Sequence, residues 1–132
     1  MSANGYNTGM ASEYLILSKL YRLDLEAYLS QGNKKSIDIR IVKNDETAIS
    51  IDVKAVRGYS SLVVNNVVPR KNHFIIFVVY NNKFEDLTTE PDIFIVPSEM
   101  VVEPMVSDFN GERRVMKGAL EAYKEQWSLL MG

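Results

Sequence analysis

The sequence predicts an α/β fold built on a mixed, largely buried sheet, and three observations carry that prediction. Apolar residues recur at helical spacing in "MASEYLILSKLYRL" near the N-terminus. Two runs, "SIDIRIV" and "AISIDVKAV", alternate apolar and polar residues as half-buried strands do. Two later runs, "HFIIFVVY" and "PDIFIV", are almost continuously apolar, the pattern of strands covered on both faces.

In chain order, Met10, Tyr14, Leu17 and Tyr21, with Leu20 beside them, place a helix over about residues 9 to 22. Thr8 or Asn7 is positioned to cap its first turn by accepting a backbone hydrogen bond. Leu25, Ala27 and Leu29 alternate with Glu26, Tyr28 and Ser30, which reads as a short strand ended by "QGNKKS". Ile37, Ile39 and Ile41 then alternate with Asp38, Arg40 and Val42. The turn "KNDET" leads to Ile49, Ile51, Val53 and Ala55, which alternate with Ser50, Asp52, Lys54 and Val56. The two runs are expected to pair as antiparallel neighbours.

Residues 57 to 72 resist assignment, because Asn65-Asn66 suggests a turn and Pro69 disfavours a central strand. The two apolar runs follow, joined by the polar link "NNKFEDLTTE". "PSEMV" can start a short helix at Pro97 or Ser98. "ERRVMKGALEAYKEQWSLLMG" reads as a closing amphipathic helix with Val115, Leu120, Tyr123, Trp127 and Leu130 roughly on one face. Gly118 obscures where that helix starts.

A chain of 132 residues holds one domain, residues 1–132, with a real core. Its 46% hydrophobic and 24% charged content is globular, not disordered or collagen-like. No apolar run approaches the ~20 residues of a membrane helix, and "MSANGYNTGMASEY" lacks the features of a secretory signal. A cytoplasmic protein with no membrane contact is the expectation. The absence of cysteine excludes disulfides and thiolate metal sites. With His73 as the single histidine, a His-built zinc site or a Ser-His-Asp triad is a poor basis for activity. Any metal would be held by carboxylates.

The net charge is −2, yet residues 34 to 71 carry eight lysines and arginines against four acids. Inside that basic stretch, Asp52 and Lys54 sit two apart on one strand and therefore emerge on the same face, about 7 Å from one another. Asp38 occupies the non-isoleucine face of the preceding strand, so pairing through residues 43 to 47 lets all three converge. Two carboxylates at the edge of a core are costly, and one lysine only partly offsets them. A hard divalent cation suits such a place, because Mg²⁺ needs few protein oxygens and keeps waters and phosphate oxygens elsewhere. Two aspartates and a backbone carbonyl would serve. That chemistry hydrolyses phosphodiesters, with Lys54 orienting the attacking water or neutralising charge in the transition state.

The helix bearing Glu13, the strand aspartate in "SIDIRI" and the following "ISIDVKAV" together resemble the PD-(D/E)XK nuclease superfamily over about residues 9 to 103. That superfamily includes restriction endonucleases and archaeal Holliday-junction resolvases. The resemblance implies a restriction endonuclease-like αβββαβ core, a central mixed β-sheet flanked by helices, and Mg²⁺-dependent DNA cleavage, with Mn²⁺ as a substitute. It also implies that Glu13 is the helix-one acid, Asp38 the metal aspartate, and Asp52 and Lys54 the acid-x-lysine pair. Glu13 would support the metal or a ligand water. The sequence departs from the pattern where Ile37 replaces the proline, which supplies no ligand atom, and where no crossover helix is evident after Lys54.

An acid-x-lysine triplet arises about once by chance in a chain of this length, so its position on a strand is what distinguishes this one. Glu13 serves equally as a favourable charge in the first turn of its helix. Lys34, Lys35 and Arg57 are the candidate nucleic-acid contacts, with a solvated turn the competing reading for the two lysines. His73 is expected to be a partly buried structural residue, and Trp127 and Tyr123 core or dimer-contact residues. A homodimer placing two sites across DNA is the expected active form. Two competitors are a non-catalytic nucleic-acid- or protein-binding module of the same fold acting as a subunit of a larger system, and a protein in which Asp52 and Lys54 form only a surface salt link.

Overall fold

The structure is a computed structural model that describes residues 2–30, 38–44, 46–59, 61–64, 67–101, 106–109 and 111–131. Helix α1 (Ser2–Arg22) is followed by strands β1 (Ala27–Leu29), β2 (Ile39–Val42), β3 (Ala48–Val56) and β4 (Ser61–Val63). Strands β5 (His73–Val79) and β6 (Asp92–Pro97), the short helix α2 (Ser98–Met100), and strands β7 (Val106–Phe109) and β8 (Glu112–Met116) come next. Two 3₁₀ segments, Lys117–Tyr123 and Trp127–Leu130, complete the order.

The main sheet has the order β1-β2-β3-β5-β6 and is mixed: β3 and β5 are parallel, and the other neighbours are antiparallel. As expected, β2 and β3 form an antiparallel hairpin, with Ile39 opposite Ile51 and Ile41 opposite Ile49. A second sheet has the order β4-β8-β7.

The main sheet separates two cores. On one face Ile39, Ile41, Ile49, Ile51, Ile76 and Ile95 pack against Ile16, Leu17 and Leu20 of α1, and Leu130 joins them. On the other face Ile75, Phe77, Val79, Phe94 and Val96 pack under Leu62 and Val115 of the second sheet and Leu120 of the first 3₁₀ segment. Each such fully buried side chain contributes roughly 1.5–3 kcal/mol from removal of apolar area from water. Coverage on both faces explains why β5 and β6 read as continuous apolar runs.

The second core contains no residue of β1 or β2. Arg40, on that face of β2, is accordingly exposed. On β3, Ser50, Asp52 and Lys54 lie on the face opposite Ile49, Ile51, Val53 and Ala55 of the first core.

Three elements differ from expectation. Helix α1 begins at Ser2, so Thr8 lies inside it instead of capping it, and its carbonyl accepts a 2.6 Å bond from the Ser12 hydroxyl. The connection from β3 to β5 carries, among its described residues, a strand and no helix, and β4 is drawn into the second sheet by pairing with β8.

The expected closing helix is instead a strand and two 3₁₀ segments. Val115, Leu120 and Tyr123 belong to the second core, whereas Trp127 and Leu130 belong to the first. The chain crosses the edge of β6 between them: Lys124 bridges Phe94, the Glu125 N–H donates to the Ile93 carbonyl, and Glu125 has a φ of 54°. An apolar stripe meant for two faces of a sheet cannot lie on one face of one helix.

Candidate functional site

The site is built where β2 stops pairing with β3. Asp38 precedes β2, and its N–H donates to the Ile51 carbonyl at 2.8 Å. The next N–H on that edge of β3, from Val53, is accepted by Oδ2 of Asp38 at 2.7 Å. A carboxylate oxygen thereby replaces a backbone acceptor, which fixes the Asp38 side chain against the catalytic candidate strand.

Burial pushes the Asp38 carboxyl above the usual aspartate range, and the nearby Asp52 carboxylate pushes it further. The Val53 hydrogen bond, Lys54 and His73 oppose that shift without cancelling it. Glu13 is pushed up to about 7, first by burial and then by the charge of Asp38. Asp38 is thus within electrostatic reach of Glu13 on one hand and of Asp52 and Lys54 on the other. Glu13 stands mid-helix, since α1 starts at Ser2 and has no acid in its first turn. The helix-dipole explanation of Glu13 lapses for that reason.

Asp52 is 5% exposed. Its Oδ2 lies 3.4 Å from Nε2 of His73, while its Oδ1 is buried with no hydrogen-bond partner. A buried carboxylate oxygen without a partner is costly and marks a place where something positive is missing. Lys54, two residues along the same face, is half-buried and acts electrostatically on Asp38.

Two aspartates from adjacent strands, one carrying an orphaned buried oxygen, fit a hard cation that needs only one or two protein carboxylates. Among the described residues no three His, Cys, Asp or Glu side chains form a complete ligand cluster.

Arg57 follows β3 and is held on both sides. Its Nε donates to the Thr8 hydroxyl at 2.7 Å, and its guanidinium lies 3.8 Å from the centre of the Phe84 ring. It lines an open groove of about 360 Å³ with Thr8, Gly9, Ser12, Val53 and Ala55. Lys34 and Lys35 lie outside the described residues.

His73 is the residue that the sequence undervalued. It is 2% exposed, its Nδ1 lies 2.7 Å from the Ser50 hydroxyl, and it faces Asp52. The signal for it is the parallel register of β3 and β5, which places His73 beside Ser50 and cannot be read from either strand alone.

No protein-family model matches the sequence, and no curated protein matches it. Among the solved structures that share the fold are two nucleases. The Holliday junction resolvase Hjc of Archaeoglobus fulgidus, an archaeal hyperthermophile, superposes with a TM-score of 0.61 at 13% identity, covering 93% of this chain and 95% of its own. The bacterial homing endonuclease I-Ssp6803I superposes with a TM-score of 0.62 at 13% identity, covering 94% of this chain and 89% of its own. The mixed sheet flanked by helical elements is therefore of the architecture seen in those two proteins.

Proposed function

We propose that this chain is a metal-dependent nuclease of the PD-(D/E)XK type that hydrolyses phosphodiester bonds in DNA. The observation that carries the reading is the orphaned, buried Oδ1 of Asp52 beside the crowded carboxyl of Asp38. The fold shared with a Holliday junction resolvase and a homing endonuclease supports DNA as the substrate class. Fold alone does not specify chemistry, so the weight rests on the site.

Asp38 and Asp52 would hold Mg²⁺, or Mn²⁺ in its place, and Glu13 would support the ion or a water beside it. When bound, a divalent cation supplies charge neutralisation at the phosphate and a lowered pKa for the attacking water. Lys54 orients that water or neutralises charge growing on the phosphate. The Val53 N–H keeps Asp38 from swinging away, so the carboxylate is set before substrate arrives. Arg57, together with Lys34 and Lys35, would contact the DNA backbone, and a homodimer would place two sites across the duplex.

The test is a Mg²⁺-dependent cleavage assay on supercoiled, linear, single-stranded and branched DNA, comparing the wild type with Asp52→Ala and Lys54→Ala. Cleavage of at least one substrate, lost in both variants, is expected. The second reading, a non-catalytic binding subunit of the same fold, is favoured by the lack of a complete three-residue ligand cluster among the described residues. DNA binding without cleavage, and without Mg²⁺ or Mn²⁺ binding by calorimetry, selects it.

A further inference from the structure

We infer that His73 is a positioning residue that, itself oriented by Ser50, turns the Asp52 carboxylate so that one oxygen is engaged and the other is left for a cation. The inference rests on the reading of Asp52 as a metal ligand, and its own content is the direction of the hydrogen bonds through the imidazole.

Ser50 and Asp52 are two apart on β3 and share a face, and His73 opens the neighbouring parallel strand in register with Ser50. The ring therefore spans from one to the other. Its Nδ1 is 2.7 Å from the Ser50 hydroxyl and its Nε2 is 3.4 Å from Oδ2 of Asp52. The side chains of His73 and Asp52 are 1% and 8% exposed, so water competes weakly for either.

A neutral imidazole carries one N–H and one lone pair, and a serine hydroxyl can take either role. Were Nδ1 the donor to Ser50, the Nε2 lone pair would face a buried carboxylate oxygen, acceptor against acceptor. With the Ser50 hydroxyl donating to Nδ1, the proton sits on Nε2 and points toward Asp52. Of the two neutral tautomers, the second alone is attractive at both ends.

Among the described residues, Nε2 of His73 and Oδ1 of Asp52 are the buried side-chain polar atoms without a hydrogen-bond partner, and both belong to the residues of this contact. At 3.4 Å the Nε2 contact is longer than a hydrogen bond. Rotation of the carboxylate toward the ring would engage Oδ2 with Nε2 and leave Oδ1 for a cation. Partners behind a ligating carboxylate typically change metal affinity 10- to 100-fold when removed.

His73 is the only histidine in the sequence, so selective ¹⁵N-histidine labelling of tag-free protein gives one imidazole to observe. At pH 8 in EDTA, long-range ¹H–¹⁵N spectra are expected to show a protonated Nε2 and an unprotonated Nδ1. Titration with Mg²⁺ is expected to shift the Nε2 resonance with the midpoint found by calorimetry. Ser50→Ala is expected to mix the tautomers and weaken Mg²⁺ binding about 10-fold with the thermal unfolding transition retained, and Ser50→Thr to restore both. A protonated Nδ1 in the wild type, or Mg²⁺ affinity within twofold of wild type in Ser50→Ala, overturns the inference. A protonated Nε2 in a protein that takes up no Mg²⁺ overturns the metal reading instead, and the two failures are thereby distinguished.

Discussion

The Val53 main-chain N–H donates to Oδ2 of Asp38 at 2.7 Å, so one carboxylate both closes the β2–β3 hairpin and offers charge to the site. Removing the side chain and removing only its charge should therefore differ. Asp38→Ala strands the Val53 N–H, at a cost of about 1–3 kcal/mol. Asp38→Asn retains an acceptor and relieves the repulsion with Asp52. Urea unfolding in EDTA at pH 8 should rank the Asn variant at or above wild type and the Ala variant below it, with DNA cleavage abolished in both.

Glu13 gives the metal-free protein an unusual pH dependence. Its folded pKa of about 7 lies above the ordinary value of 4.5, so between those values the folded state binds more protons than the unfolded one. Stability therefore falls as pH rises through that window, and the full penalty is present above pH 7. With screening at this half-open position the loss is about 1–2 kcal/mol. Denaturation midpoints in EDTA at pH 5 and pH 8 should show it, and Glu13→Gln should remove most of the slope. Asp38, also raised, adds in the same direction.

Divalent cations should reverse that loss. An ion that binds only the folded chain stabilises it by about 2.7 kcal/mol at a hundredfold excess over Kd. Mg²⁺ should thus raise the melting temperature more at pH 8, where the acids are ionised, than at pH 5. Equal shifts at both pH values, or a shift that persists in Asp52→Ala, would count against a carboxylate-held ion.

Lys54 is predicted to act on rate more than on ion binding. Lys54→Ala should slow single-turnover cleavage by about 10²-fold or more, the scale of losing a group that moves or stabilises a proton or charge in the transition state. Calorimetric Mg²⁺ affinity should change by less than about threefold on the same scale.

Leu120 and Leu130, fully buried, lie in different cores on opposite faces of the sheet. Leu120→Ala and Leu130→Ala should each cost about 2–4 kcal/mol. Their effects should add within about 0.5 kcal/mol, as expected for sites without shared partners. Strong coupling in a double-mutant cycle would be the signature of one shared helix face.

The sequence made the hairpin legible because Ile39, Ile41, Ile49 and Ile51 keep strict alternation on either side of a polar turn, and alternation fixes which side chains share a face. That placed Asp52 and Lys54 together and Asp38 opposite them. The helical type of α1 was legible from its apolar spacing, whereas its start was hidden by Gly5, Asn7 and Gly9, residues that favour helix ends. The closing segment misled because Val115, Leu120, Tyr123, Trp127 and Leu130 mimic a single amphipathic stripe while serving two cores. His73 was undervalued because its neighbours come from a strand 23 residues away in sequence from Ser50. Parallel register leaves no local mark.

The segment that carries Lys124 and Glu125 across β6 also occupies the outer rim of that strand. The outward carbonyl of Ile93 accepts from the Glu125 N–H, with Lys124 opposite Phe94, within the same molecule. A long apolar border strand with open hydrogen-bonding groups invites edge-to-edge polymerisation, and here the invitation is withdrawn. The opposite rim is β1, only three residues long. Substituting Glu125 with proline, which can neither donate to Ile93 nor adopt the positive φ of this position, should dislodge the segment and show itself first as aggregation on concentration.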